Sequence, residues 1–175
     1  MSEQKKPIKD AEFSDTRSGR RGDGGVYLVV ADETDEFGVA LRYAARMAKA
    51  HRGHLGVLSI LNIDDVQQWE KVEAMMRKEM RESAEKFIWS VARKVNDLNG
   101  MIPALYVQEG PPDEVLINLM NEDSSIRMLI LGGGTGSGGP GPLVSYFTGK
   151  GLGRLRIPVM VVPGHLDPQK IDAIT

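Results

Sequence analysis

The sequence predicts an α/β fold in which a doubly wound, five-stranded, mainly parallel sheet carries helices on both faces. Two observations lead there. Five short apolar runs, rich in β-branched residues and bounded by glycines, prolines or acids, alternate with longer segments whose apolar residues recur every three or four positions. Continuous rather than alternating apolarity marks strands covered on both faces, as in parallel sheets. The order β-α-β-α-β-α-β-α-β, with no internal repeat, then folds through right-handed crossovers into one layered domain. A length of 175 residues suits that count, since one domain commonly takes about 100–150 residues.

Residues 1–25 are polar, with Lys5, Lys6, Lys9, Arg17, Arg20 and Arg21 interleaved among acids before a Gly-Asp-Gly-Gly ending. So little apolar surface does not offset the entropy of ordering the chain, and the segment reads as a flexible tail. The domain is expected to span residues 26–164, and its first strand 26–30. Phe37, Leu41, Ala44, Ala45 and Ala48 then step at helical spacing, with Thr34 or Asp35 placed to cap the free N–H groups. That helix ends near His51-Arg52-Gly53, and residues 55–61 form the second strand.

Trp69, Val72, Met76, Met80, Ala84, Phe87, Val91, Val95 and Leu98 form one long apolar stripe, the strongest periodic signal in the chain. Asp64 and Asp65 complement the positive end of that helix, and Asn99-Gly100 stops it. Methionine fills irregular gaps between helix and sheet, so the stripe is expected in the core. Residues 102–108 read as the third strand, with Pro103 near its start. Gly110-Pro111-Pro112-Asp113-Glu114 opens a helix that buries Val115, Leu116, Leu119 and Met120. A fourth strand at 128–131 runs straight into a glycine tract beginning at Gly132. A weak helix over 143–155, which contains Gly149, Gly151 and Gly153, leads to a final strand from Ile157 to Val162, bracketed by Pro158 and Pro163. Residues 165–175 read as a C-terminal tail.

Composition narrows the function. Lys and Arg total 22 against 24 for Asp and Glu, a net charge of −2, so no overall field draws the chain to nucleic acid or to an anionic membrane. Any anion site must be local. The absence of cysteine removes disulfides, thiolate nucleophiles and Cys-ligated zinc, and fits a reducing cytoplasm. The N-terminus lacks the apolar core of a signal peptide, and no apolar run reaches the roughly 18 residues a membrane span needs. A soluble, unprocessed, cytoplasmic protein is expected.

In doubly wound sheets ligands gather at the carboxyl ends of the strands, where the strand order reverses. Asp32 follows the first strand there, and Gly132, Gly133, Gly134, Gly136, Gly138 and Gly139 follow the fourth. Backbone N–H groups of a glycine-rich turn converge on a phosphate, while the same composition also describes a plain surface loop. Asp32 is a ligand residue or a helix-cap residue. Gly134-x-Gly136-x-x-Gly139 has the form of a dinucleotide fingerprint but follows the fourth strand instead of the first. Gly149-Lys150 is not the end of a Walker motif, because Val144 stands at its first glycine and Gly151 at its Ser or Thr. His51, His54 and His165 share no metal-ligand spacing. No Ser-His-Asp constellation, and no base or arginine finger for nucleotide hydrolysis, can be assembled, so an enzyme is not expected.

The run Val29-Val30-Ala31-Asp32, followed by Ala40-Leu41-Arg42-Tyr43-Ala44-Ala45-Arg46-Met47-Ala48-Lys49-Ala50, resembles the opening of universal stress proteins. Glu109-Gly110-Pro111-Pro112, then Leu129-Ile130-Leu131-Gly132 and Ile157-Pro158-Val159-Met160-Val161-Val162, resemble that family's later segments in the same order. The resemblance covers about residues 26–164 and implies strand order 3-2-1-4-5, a dimer, and membership in a family divided between binders of ATP or AMP and non-binders. The binders carry an aspartate after the first strand and a loop of the form G-x2-G-x9-G-(S/T) after the fourth. Asp32 and Gly132 match those positions, whereas Thr135 stands at the second glycine, Ser145 at the third and Tyr146 at the hydroxyl. A register shifted to Gly136, Gly139 and Gly149 restores the glycines but puts Lys150 at the hydroxyl and leaves too little chain for the next helix.

The resemblance therefore implies a stress-response regulator that takes ATP or AMP, with Mg2+ beside ATP, at Asp32 and the glycine loop. The alternative is an interaction module of the same fold that binds no nucleotide and meets a protein partner through loop and tail. The strand from Ile157 to Val162 is apolar on both sides of the pleat yet lies at a sheet edge in the implied order. Antiparallel pairing with a two-fold mate would cover it, so a homodimer is expected.

Overall fold

The computed structural model describes residues 24–62 and 70–175. Among these residues the strands and α-helices follow in order: β1 (Val26–Ala31), α1 (Asp35–Ala50), β2 (His54–Leu61), α2 (Glu70–Asn99), β3 (Ala104–Glu109), α3 (Pro112–Glu122), β4 (Ile126–Gly133), α4 (Pro142–Phe147), β5 (Val159–Pro163) and α5 (Pro168–Ile174). The five strands form one sheet in the order β3-β2-β1-β4-β5, parallel at every pairing. The order reverses between β1 and β4, so their carboxyl ends flank the switch point.

The continuous apolarity of the strands has the predicted consequence, a core on each face. On one face Val29, Val57 and Ile130 pack with Ala40 and Ala44 of α1 and with Ile88 and Val91 of α2. On the other, Leu28, Leu58 and Leu129 meet Leu116 of α3 and Phe147 of α4. All these leucines and Phe147 are fully buried, each contributing about 1.5–3 kcal/mol of transfer free energy. Thr34 caps α1, its hydroxyl oxygen accepting from the Phe37 N–H, and α3 begins with a proline followed by two acids.

The structure departs from the sequence reading in six places. Gly24 and Gly25 belong to the fold: the Gly24 N–H donates to the Arg52 carbonyl and the Gly25 carbonyl accepts from His54. The remaining residues of the 1–25 segment, together with Asp64, Asp65 and Trp69, lie outside the described residues.

The methionine stripe of α2 is only partly core. Burial begins at Ala84 and continues through Ile88, Val91, Ala92 and Val95, while Met75 and Met76 are exposed. Length explains this: the 30-residue helix spans about 45 Å, whereas the eight residues of β2 span about 26 Å. The first turns must overhang the sheet.

β4 runs on through Gly132 and Gly133, so the glycine loop starts two residues later than expected. The helix expected over 143–155 stops at Phe147. Gly149 and Gly151 both donate to the Tyr146 carbonyl, folding the chain back on itself before a single 3-10 turn at Leu152–Arg154. The last strand begins at Val159, although the Pro158 carbonyl still accepts from Leu129.

Residues 165–175 contain α5, which packs on α1 through the fully buried Ile171. The Arg42 guanidinium donates to both carboxylate oxygens of Asp172, at 3.0 and 2.6 Å, and holds that carboxyl below its ordinary range.

Candidate functional site

The carboxyl ends of β1 and β4 open a cleft of about 200 Å3. β1 delivers Asp32, whose Oδ1 accepts from the backbone N–H of Thr34 at 3.0 Å and from the Thr34 hydroxyl. Asp32 thus orients the capping hydroxyl and lines the cleft at the same time; the two sequence readings of this residue are compatible.

Of the glycines named from sequence, Gly132, Gly134 and Gly139 line the cleft. Gly133 faces β5, where a Cβ would lie 3.0 Å from Val161 Cγ1, and a Cβ at Gly136 or Gly138 would meet nothing. Close packing within the chain explains two of the lining glycines. A Cβ at Gly132 would fall 2.6 Å from the Glu36 carbonyl oxygen, because the first turn of α1 lies directly on the end of β4; one at Gly134 would fall 2.7 Å from the Gly139 carbonyl oxygen. The loop also uses its own donors: Gly134 N–H bonds to Pro140 O at 3.3 Å and Gly139 N–H to Gly136 O at 3.2 Å.

The residue that sequence reasoning missed is Glu36. Acids in a first helical turn have a sufficient explanation in the helix dipole, and nothing in the spacing marks this one out. In the fold its side chain lies over Gly164, where a Cβ would be 2.3 Å from Glu36 Cγ, and its Oε1 is 3.3 Å from the Cβ position of Gly134. Glu36 and Asp32 therefore place two carboxylates on the cleft, and among the described residues no Lys or Arg lines it. A nucleotide phosphate does not fit this donor set: it meets like charge, and two of the loop's N–H groups already serve carbonyls of the loop.

Ser145 and Tyr146, at the third glycine and the hydroxyl of the family pattern, are not among the cleft residues. Tyr146 lies on Gly151, where a Cβ would come within 2.3 Å of its ring. Its hydroxyl accepts from Arg154 at 2.8 Å, and Arg154 forks onto Glu114 at 2.9 and 3.1 Å. The Arg154 hydrogen bond holds the Glu114 carboxyl below its ordinary range. Among the described residues no group of three or more His, Asp or Glu is placed to hold a metal ion, and no helix is long and apolar enough to cross a membrane.

A parallel five-stranded sheet of order 3-2-1-4-5 with a cleft at its switch point defines the class, a doubly wound α/β protein. A family model described as the universal stress protein family matches residues 27–163, and the chain belongs to that family.

Solved structures agree on the fold. Universal stress protein UspA from Lactobacillus plantarum superposes with a TM-score of 0.64 at 18% identity, over 80% of this chain and 98% of that one. A universal stress family protein from Burkholderia pseudomallei gives 0.60 at 17% identity, over 79% and 96%. One from Archaeoglobus fulgidus gives 0.53 at 12%, over 78% and 92%. No curated protein matches the chain.

Proposed function

We propose that this chain acts in the cytoplasmic stress response as a protein-interaction module, and that its cleft does not take the phosphates of ATP or AMP. The observation that carries this reading is the Glu36 carboxylate reaching the glycine turn in a cleft that, among the described residues, holds a second acid and no cation. Like charge at this range disfavours an anion, and the cleft's 200 Å3 is below the roughly 300–1,000 Å3 of most small-molecule sites. Equilibrium dialysis against ATP and AMP, with and without Mg2+, tests it. No retention is expected at about 1 mM nucleotide; retention that Asp32→Ala abolishes overturns the reading in favour of the nucleotide-responsive regulator.

The surface we assign to a partner is β5, which pairs with a second copy. It stands at the sheet edge, and Val159, Met160 and Val161 remain partly exposed along it. An apolar edge with open backbone groups needs a cover, and a two-fold axis lets two such edges satisfy each other. Sedimentation at about 10 μM should give a dimer; a monomer there sinks the assignment.

A further inference from the structure

α5 lies beyond residue 163, where the match to the family ends, and its chief neighbour is α1. It covers the side of α1 that faces away from the sheet. Arg42 and Arg46 stand one turn apart there, each about 200° round the helix from Ala44, which is fully buried in the core. Both reach α5. Arg42 forks onto the Asp172 carboxylate, and Arg46 donates to the Asp172 carbonyl at 2.9 Å and to the Thr175 hydroxyl at 3.2 Å.

The hold on α5 is slight. Seven residues are too few for a helix stable by itself, and Ile171 is its one buried side chain. The ion-paired side chains of Arg42, Arg46 and Asp172 remain between 36% and 42% exposed, where such pairs contribute little. A short end segment held in this way opens locally while the sheet stays folded. Each opening uncovers two guanidinium groups one turn apart, beside the seat of Ile171.

We infer that this outer face of α1 is a docking site for a short amphipathic helix of a partner protein, with an aliphatic residue followed directly by an acid, and that α5 is its built-in occupant. α5 supplies the template: Ile171 fills the seat and Asp172 takes the fork. A guanidinium receives a carboxylate in two parallel bonds, so the face selects an acid over an amide. The mode is a helix laid on a complementary face. The short connection from Pro163 to Pro168 keeps α5 at high effective concentration, and a partner helix enters when α5 is loosened. The inference names one surface for the interaction-module reading and rests on that reading in taking the partner to be a protein. The two fail separately, because nucleotide dialysis reads the cleft and peptide binding reads α1.

The probes are a labelled peptide of residues 164–175, the same peptide with Asp172→Asn, and an unrelated alanine-lysine helix carrying a single Ile-Asp pair. They are titrated by fluorescence anisotropy against the full chain and against its Ile171→Ala, Asp172→Asn double variant, whose changes lie in α5 and leave the face intact. The first peptide should bind the variant with a Kd below about 1 mM and wild type at least about tenfold more weakly. The host helix should bind the variant within about fivefold of that peptide, while the Asn peptide, or a variant that also carries Arg42→Gln, should give binding at least about threefold weaker. In wild type, α5 amides should exchange at least about 100-fold faster than the Ala44 amide, at the same rate in about 20 and about 200 μM chain. No binding at about 5 mM peptide, equal binding to wild type and variant, indifference to Arg42→Gln, or binding by the α5 sequence but not by the host helix would each overturn the inference. Exchange of α5 as slow as that of Ala44 would overturn it without any variant, and exchange that slows as the chain is concentrated would overturn it by giving the seat to a second copy.

Discussion

The two ends of this sheet are built on opposite terms. At the amino end, backbone and side-chain groups close on one another: Val26 N–H donates to Ser125 O at 2.8 Å, His54 N–H to Gly25 O at 2.8 Å, and the Tyr106 hydroxyl to Asp123, which also accepts from Ser125. At the carboxyl end the chain leaves a cleft and an open groove, lined by the carboxylates of Asp32, Glu36 and Glu79. The helix α2 runs between these ends and shares the difference, buried from Ala84 onward and overhanging before it. Close packing and open space are thus separated along the strand direction, the open space lying at the carboxyl ends, where ligand sites of parallel sheets collect.

The largest test of this contrast lies in α2. Ile88→Ala, at a fully buried position, should cost about 2–5 kcal/mol in denaturant unfolding. Met76→Ala, on the overhang at 43% exposure, should stay within about 0.5 kcal/mol. Comparable losses in the two variants would mean that the overhang is packed, and the contrast would fail.

Glycines at the two ends should respond with opposite signs to the same change. A Cβ at Gly53 would sit 2.5 Å from the Gly25 carbonyl oxygen and 2.9 Å from the Tyr27 ring, so Gly53→Ala should lose about 1–3 kcal/mol through backbone displacement. Gly136 has open space around its Cβ position, and Gly136→Ala should be neutral or stabilising by up to about 1 kcal/mol through the unfolded chain. Thermal unfolding of both variants reads the difference directly.

The smallest effect concerns the closed end and alkaline pH. Burial, then the Asp123 charge and the hydrogen bond to it, push the Tyr106 hydroxyl up to about 12. Because the folded value is raised, the contribution of the neutral phenol is whole below the ordinary value near 10 and is lost as pH climbs through about 12. Tyr106→Phe should therefore be less stable than wild type by about 1 kcal/mol up to pH 10, with the gap closing above it. A gap independent of pH would remove the Asp123 bond from the closure of this end.

Much of the site was legible because it sits on strand ends, whose positions follow from apolar runs. Asp32 and Gly132 were placed at the switch point by counting elements, and both line the cleft there. The glycine tract was legible as a loop but not in its parts: Gly136 and Gly138, equal in sequence to Gly134 and Gly139, stand clear of the cleft. Glu36 left no trace: it reads as an ordinary helix-start acid, and it reaches the cleft only because Gly132, Gly134 and Gly164, more than ninety positions away, pack against it.

By itself the sequence determined the order of the five strands and of the helices between them, the parallel sheet, the family and the starts of α1 and α3, because these rest on periodicity, capping and propensity within short windows of chain. Only the tertiary structure decided how far each element packs, which glycines touch the cleft, that α5 closes on α1, and that α2 outruns its strand to leave an open groove. Those outcomes depend on relative lengths and crossing positions of elements distant in sequence. A local pattern states that a helix has an apolar face; it does not state how much sheet is there to receive it.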